Sequence, residues 1–560
     1  MSGRVSSAQA AVAGAIALFL AAFLVVPVLA VVWIAFADAD GGLTLAHFGA
    51  FFGVSLLRES FWNSLYVAAA SVVLASAIAV PVAYFTARFR LRGALLVQTL
   101  GVLPLVMPPF VGAVAMQLIF GRNGSVNLLL GDALGVTVPF MEGLNGVIFV
   151  EALHYFPFIL LNLSAALANI DAAMEESAQN LGAHGFRLFR RVVFPLAMPG
   201  YVAGASLVFV KVFDDLGTPL VLNVTNMLAP QAYLRITSLG IEDPLGYVIS
   251  VIMVGFSMLA MWLAARALRG RDYATVQRGG AAGERRRLTR AQAVLAYGWI
   301  GFVLALVLAP HLGILLLSFS KVWSYTVVPE QFTTANYATV LANSSGMIVN
   351  TLLYAGLAAG VDVVLGTAIA YLVLRTRLPG RQLLDLAATA ALAIPGVVLG
   401  IGYLRLFRGV EVPWLGGPLA ASWIILPIAY SVRRLPYAVR ACTAALQQLH
   451  VSLEEAAESL GASRRRTLQR VVVPLMAGGI LAGFVTSFIT ASVELSATLL
   501  LAASESLAPM SYGIYLYMQS IAGRGPGAAL GVIAVAIVAA GTYASHRFMA
   551  GRSAALEGRA

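Results

Sequence analysis

One segment of 22 residues occurs twice in this chain, as EESAQNLGAHGFRLFRRVVFPL from Glu175 and EEAAESLGASRRRTLQRVVVPL from Glu454, 279 positions apart and each between hydrophobic stretches. Twelve of the 22 columns are identical. Both copies keep Glu-x-Ala, then a Gly, then a Pro thirteen residues beyond it: Glu176, Ala178, Gly182 and Pro195 in the first, Glu455, Ala457, Gly461 and Pro474 in the second. A duplicated element fixes the plan of a chain, since each copy has to be built into equivalent surroundings. Asn63, Tyr84, Arg88, Arg90, Gly93 and Pro108 recur as Asn350, Tyr371, Arg375, Arg377, Gly380 and Pro395, all shifted by 287. The shift falls to 279 because the loop from Gly121 to Gly143 is eight residues longer in the first half.

With 60% apolar residues, 11% charged residues and a mean hydropathy of +0.87, the halves read as membrane-embedded. A span needs about 20 predominantly apolar residues. Twelve candidates are present, six per half. The expected architecture is an all-α membrane protein of two parallel six-helix domains, residues 1–269 and 292–560, joined by a linker over residues 270–291. An even number of spans per half makes the halves parallel, unlike an inverted repeat.

Lys and Arg accumulate on the cytoplasmic side of bacterial-type membrane proteins. With both termini inside, the cytoplasmic loops and ends collect 25 of the 36 basic residues, and both signature segments fall among them. The net charge of +11 is then a topology signal and an attraction to anionic lipid, with no nucleic-acid inference. The linker is polar, glycine-containing and basic, which predicts a flexible cytoplasmic connection. The first apolar stretch reads as an uncleaved span, with cleavage after Ala30 the weaker alternative. Cys442 is the only cysteine, so no internal disulfide forms.

A short helix ending at a Gly and followed by a second helix makes an elbow, the Gly supplying the left-handed turn. In the second copy Ser452, three residues before Glu455, has the spacing of a capping box, and Ala457 and Leu460 are expected on one face. Such a helix suits a groove in a partner protein. An ordinary cytoplasmic loop is the bland reading, and its repetition in both halves favours docking.

At these residues the chain resembles the permease subunits of binding-protein-dependent ATP-binding-cassette importers, whose cytoplasmic loop carries Glu-Ala-Ala, a Gly four residues on, and a terminal Pro. Ser177 replaces the first Ala in copy one, and Val192 and Val471 stand where Ile is usual. The resemblance covers essentially the whole chain as two fused permease domains. It implies that Glu176, Ala178, Gly182, Pro195, Glu455, Ala457, Gly461 and Pro474 belong to coupling elbows seated in two ATPase subunits. It also implies a periplasmic or lipid-anchored solute-binding protein as partner and a multi-pass location in the bacterial inner membrane. FDDLGTPLVL from Phe213, VELSATLLL from Val493, LAPQAY from Leu228 and LAPMSY from Leu507 look most like ferric-iron-type permeases. Relatives of that type handle phosphonates, polyamines or thiamine.

The chain is not expected to be an enzyme. A phosphate loop needs Gly-Lys-Ser/Thr, and of the two lysines, Lys211 and Lys321, neither follows a Gly. ATP and Mg are expected on a separate polypeptide. No Cys/His spacing points to a metal. Ionisable residues inside spans are costly and become candidates for a pathway. Lys211 lies three and four residues from Asp214 and Asp215, so these can neutralise one another on one helix face, as packing or as solute contacts. Asp215 aligns with Glu494, at equivalent depth in the other half. Arg433 and Arg434, opposite His154 and Tyr155, sit inside the tenth span or snorkel at its cytoplasmic end. For Glu151, His154 and Asp362 a hydrogen-bonded packing role is expected. The rival class is an ion-coupled secondary transporter using Asp214, Asp215 or Glu494 as ion sites; an intramembrane enzyme or a scaffold lacks any motif.

Overall fold

The computed structural model describes residues 7–38, 40–268 and 287–557. Residues 270–286 of the linker assigned to 270–291, and Arg4 and Arg559 of the charge pattern, lie outside the described residues. Among the described residues, eight helices are long and apolar enough to cross a membrane: Ser7–Phe36, Ser55–Arg88, Gly143–Ala168, Gly185–Asp214, Pro244–Leu268, Arg290–Ser318, Ser345–Arg375 and Arg524–Tyr543. Three bent pairs raise this to 11: Ala94–Val106 with Pro109–Leu134, Arg381–Ala393 with Gly396–Phe407, and Arg464–Leu475 with Ala477–Ser492. The remaining candidate, in tenth position, is the 23-residue helix Ile425–Gln447, which carries Arg433, Arg434 and Arg440.

The third and ninth spans break at equivalent places, by 103° and 108°. Pro108 and Pro395 stand at the two breaks with ψ of 138° and 144°, the extended backbone that ends one helix and starts another. Non-helical backbone at this depth is tolerated only where protein or a cavity lines it, and both breaks face the interface between the halves.

The first span of each half packs largely on the other half. Ala13, Ile16, Leu20 and Leu24 are buried in a cluster with Tyr354, Leu399 and Tyr403 of the second half, and Tyr403 donates from its hydroxyl to the Phe23 carbonyl at 2.6 Å. Reciprocally, Ile300, Val303, Val307 and Ile314 of the seventh span are buried with Val111, Val114 and Met116. Gly313 makes this approach possible, since a Cβ there would meet the Ala115 methyl at 3.0 Å.

The longer loop after the third span holds the helix Ser125–Leu134, closed by Asn127, which donates to Gly121 O and Val138 O and accepts from Val138 N. The shorter loop of the second half holds a small hairpin pairing Glu411–Val412 with Gly417–Pro418.

Candidate functional site

The two signature segments form the same elbow. A short helix, Ala172–Asn180 in the first copy and Ser452–Ser459 in the second, ends at a glycine with φ of +86° in both, Gly182 and Gly461. The closure is a Schellman motif. Gly182 N–H donates to Gln179 O and Ala183 N–H to Ala178 O; Gly461 N–H donates to Glu458 O and Ala462 N–H to Ala457 O. Ala178 and Ala457 are therefore the carbonyls on which each turn closes. A π-helical turn follows at equivalent positions, Phe189–Val193 and Leu468–Val472, and Pro195 and Pro474 then open the next helix from its first positions.

The start of the second elbow differs from expectation. Ser452 lies inside the helix, and its hydroxyl pairs with His450 Nδ1 at 2.8 Å, so no capping box forms. Asp171 caps the first elbow by accepting from Ala173 N–H at 2.9 Å. Ala457 and Leu460 also do not share a face: Ala457 is half-buried while Leu460 is 90% exposed, matched by Leu181 at 89%. Glu176 and Glu455 are exposed.

The first glutamate of each copy, not the second, ties the elbow to the membrane domain. Arg88, at the end of the second span, pairs with Glu175 at 2.6 Å, and Arg375, its equivalent, pairs with Glu454 at 2.6 Å. Arg375 also donates to the Leu446 and Leu449 carbonyls at the end of the tenth span. These pairs are sheltered, so the ions keep more of their attraction than a surface pair does. The sequence held the signal, since both members of the pair recur across the halves.

The intramembrane charges gather at the interface between the halves, around a cavity of about 290 Å³ lined by Lys211, Asp214, Asp215, Arg433, Arg434 and Glu494. Arg433 bridges the halves. Its Nη2 donates to Asp214 Oδ2 of the first half and its Nη1 to Glu494 Oε1 of the second, both at 2.6 Å. Asp214 Oδ1 accepts from Gly396 N–H at 2.9 Å, where the broken ninth span restarts, and so also uses the positive end of that helix. Glu494 accepts from Ala497 N–H and Thr498 N–H, and Thr498 Oγ1 links it to Tyr430. Asp215 accepts from Thr218 N–H three residues on, as Glu494 does from Ala497, which gives the aligned acids the same role of closing the turn after a span.

One sequence expectation changes here, and one open alternative is decided. Lys211 and Asp214 do not neutralise one another; Asp214 is held by Arg433, and Lys211 lies against the Tyr437 hydroxyl. Arg433 and Arg434 do not snorkel to the cytoplasmic end, because both are buried at the interface. Asp362 takes a hydrogen bond from Ser431 Oγ at 2.7 Å, in keeping with its packing role.

The profile of the family described as binding-protein-dependent transport system inner membrane component matches residues 79–271 and 362–552. The chain belongs to this family. Both matches contain a signature elbow, so the permease is a fused pair of family domains. A putative ferric transport system permease protein of Haemophilus influenzae is 28% identical over 86% of this chain and 76% of its own length. A ferric transport system permease protein of Actinobacillus pleuropneumoniae is 28% identical over 80% of this chain and 65% of its own length. A probable ABC transporter permease protein of Sinorhizobium fredii is 27% identical over 75% of each chain. The permease is thus a multi-pass inner-membrane protein that works in transport.

Proposed function

We propose that this permease moves ferric iron, or an iron complex, from a binding protein into the cytoplasm, driven by two ATP-binding-cassette subunits seated on its elbows. The observation that carries the coupling is the pair of matching Schellman turns, each presenting an almost fully exposed leucine, Leu181 or Leu460, on a helix with an exposed glutamate, Glu176 or Glu455. An exposed apolar knob at the tip of a rigid helix is a docking element. ATP and Mg belong to the partner subunits, and the elbows, with both chain termini, lie in the cytoplasm. The solute assignment is supported by the two relatives named as ferric transport permeases; phosphonate, polyamine and thiamine are the alternatives.

The cycle is alternating access. Closure of the ATPase dimer draws the two elbows together and opens the interface outward to the loaded binding protein; hydrolysis restores the inward state. Partner binding biases the two states because it contacts them differently. An ion-coupled carrier is disfavoured by the bonding of its would-be ion sites, since Asp214 and Glu494 are both held by Arg433.

Uptake of radiolabelled ferric iron by cells lacking this chain, with and without wild-type complementation, tests the assignment. Uptake restored by the wild type is expected; equal uptake in deleted and complemented cells would overturn iron as the solute.

A further inference from the structure

Arg433 and Arg434 are neighbours on one helix and both are 7% exposed. Arg433 holds two carboxylates. Arg434 is the contrast: its Nε is buried without a hydrogen-bond partner, and among the described residues no carboxylate lies within ion-pair distance of it. Asp362 shares its field, but that acid takes its hydrogen bond from Ser431 on Oδ1 and forms no ion pair with Arg434. A guanidinium drawn largely out of water with no carboxylate against it is costly, so its place in the cavity wall points to an anion that completes it in another stage of the cycle. Its planar fork matches a carboxylate or another oxyanion.

The surroundings fit this. Arg434 lines the same cavity of about 290 Å³ as Lys211, Tyr155 and Ser496. The internal symmetry shows what is absent from one side. In the second half, the helix restarting at Gly396 is closed by the Asp214 carboxylate, which Arg433 clamps. The equivalent restart in the first half, at Pro109, lines the cavity, and the residue aligned with Asp214 is Val493, which also lines it. One broken span therefore carries a built-in carboxylate, while its counterpart opens on a space with an unpaired arginine in the wall.

We infer that this cavity is a binding site for the anionic part of the cargo, a carboxylate or oxyanion-bearing solute or a metal carried with such ligands, with Arg434 as its principal contact. This rests on reading the interface as the solute pathway and narrows the class of solute. A cargo entering as an anionic complex meets Arg434 and Lys211, whereas the acids beside them are already engaged by Arg433 or by backbone N–H groups.

The test is equilibrium binding of radiolabelled citrate to the purified full-length chain in nanodiscs of zwitterionic lipid. Saturable binding tighter than about 1 mM is expected, weakened about tenfold or more by Arg434→Gln and largely kept by Arg434→Lys. Val493→Asp, which gives the restart at Pro109 a carboxylate equivalent to the one Asp214 gives the restart at Gly396, should abolish citrate binding with Arg434 intact, and covers the case in which Arg434→Gln does not fold. No saturable binding to the wild type, or wild-type binding by Arg434→Gln, would overturn the site. Iron uptake is scored separately. Arg434-dependent citrate binding with iron uptake independent of the chain would remove the iron assignment and leave the anion site standing, and the reverse result would remove only the site.

Discussion

Arg433 carries the contact on which the two halves meet inside the membrane. Its three-residue bridge with Asp214 and Glu494 is buried and fully hydrogen-bonded, and removing one member of such a network leaves an uncompensated charge. Arg433→Met alone should destabilise the detergent-solubilised protein by about 3–5 kcal/mol. Adding Asp214→Asn and Glu494→Gln should recover most of that loss in the same denaturation measurement; an unstable triple variant would show that the bridge itself, and not relief of unpaired charge, matters. Much of this site was legible from charged residues in apolar spans, which named all six side chains of the cluster. Who pairs with whom was not legible. Helical spacing linked Lys211 to Asp214, but the true partner, Arg433, comes from another helix 219 residues away and is delivered by tertiary packing.

At the scale of elements, the elbows were the most readable part, because a Gly at fixed spacing in two copies has a backbone reason. Gly182 and Gly461 sit at φ of +86°, where a Cβ is strained by about 1–2 kcal/mol. Within each elbow the two acids divide: Glu175 and Glu454 make the ion pairs to the membrane domain, while Glu176 and Glu455 stay exposed. Arg375→Ala should raise amide exchange in the helix Ser452–Ser459 by the equivalent of about 2–3 kcal/mol of local opening, with exchange in the first elbow unchanged. Unchanged exchange in both elbows would mean that the pair does not hold the helix. A second element responds to pH. Hydrogen bonding and attraction to Arg122 lower the carboxyl of Glu142, in the loop after the third span, below the ordinary glutamate range, and Glu142 in turn raises the Arg122 guanidinium. A lowered acid contributes stability above its unfolded pKa and loses it as pH falls through its folded value. Exchange in residues 121–143 should therefore be constant near neutral pH and rise only below the usual glutamate range; a rise near pH 7 would contradict the pairing.

Across the whole molecule, the halves are homologous in sequence and interlocked in space. The twelve-span plan follows from hydropathy, and the breaks at Pro108 and Pro395 explain why the spans are not all single helices. The exchange of first spans had no sequence signal, since an apolar helix reads the same against either half. Its consequence is testable. Two polypeptides cut within the linker should assemble and function when co-expressed, while either alone should fall well below the wild-type amount in membranes, because Leu20 and Leu24 or Val303 and Val307 would lose the surface that buries them. Either half accumulating normally by itself would contradict the exchange.

The central claim is that two equivalent elbows transmit force to a shared pathway. Its most direct test is the uptake of radiolabelled ferric iron in cells whose only copy of this chain carries Gly182→Arg together with Gly461→Arg, with the amount of protein in the membrane measured alongside. The account predicts wild-type amounts of inserted protein and uptake reduced to the level of the deletion strain; wild-type uptake by that double variant would contradict it.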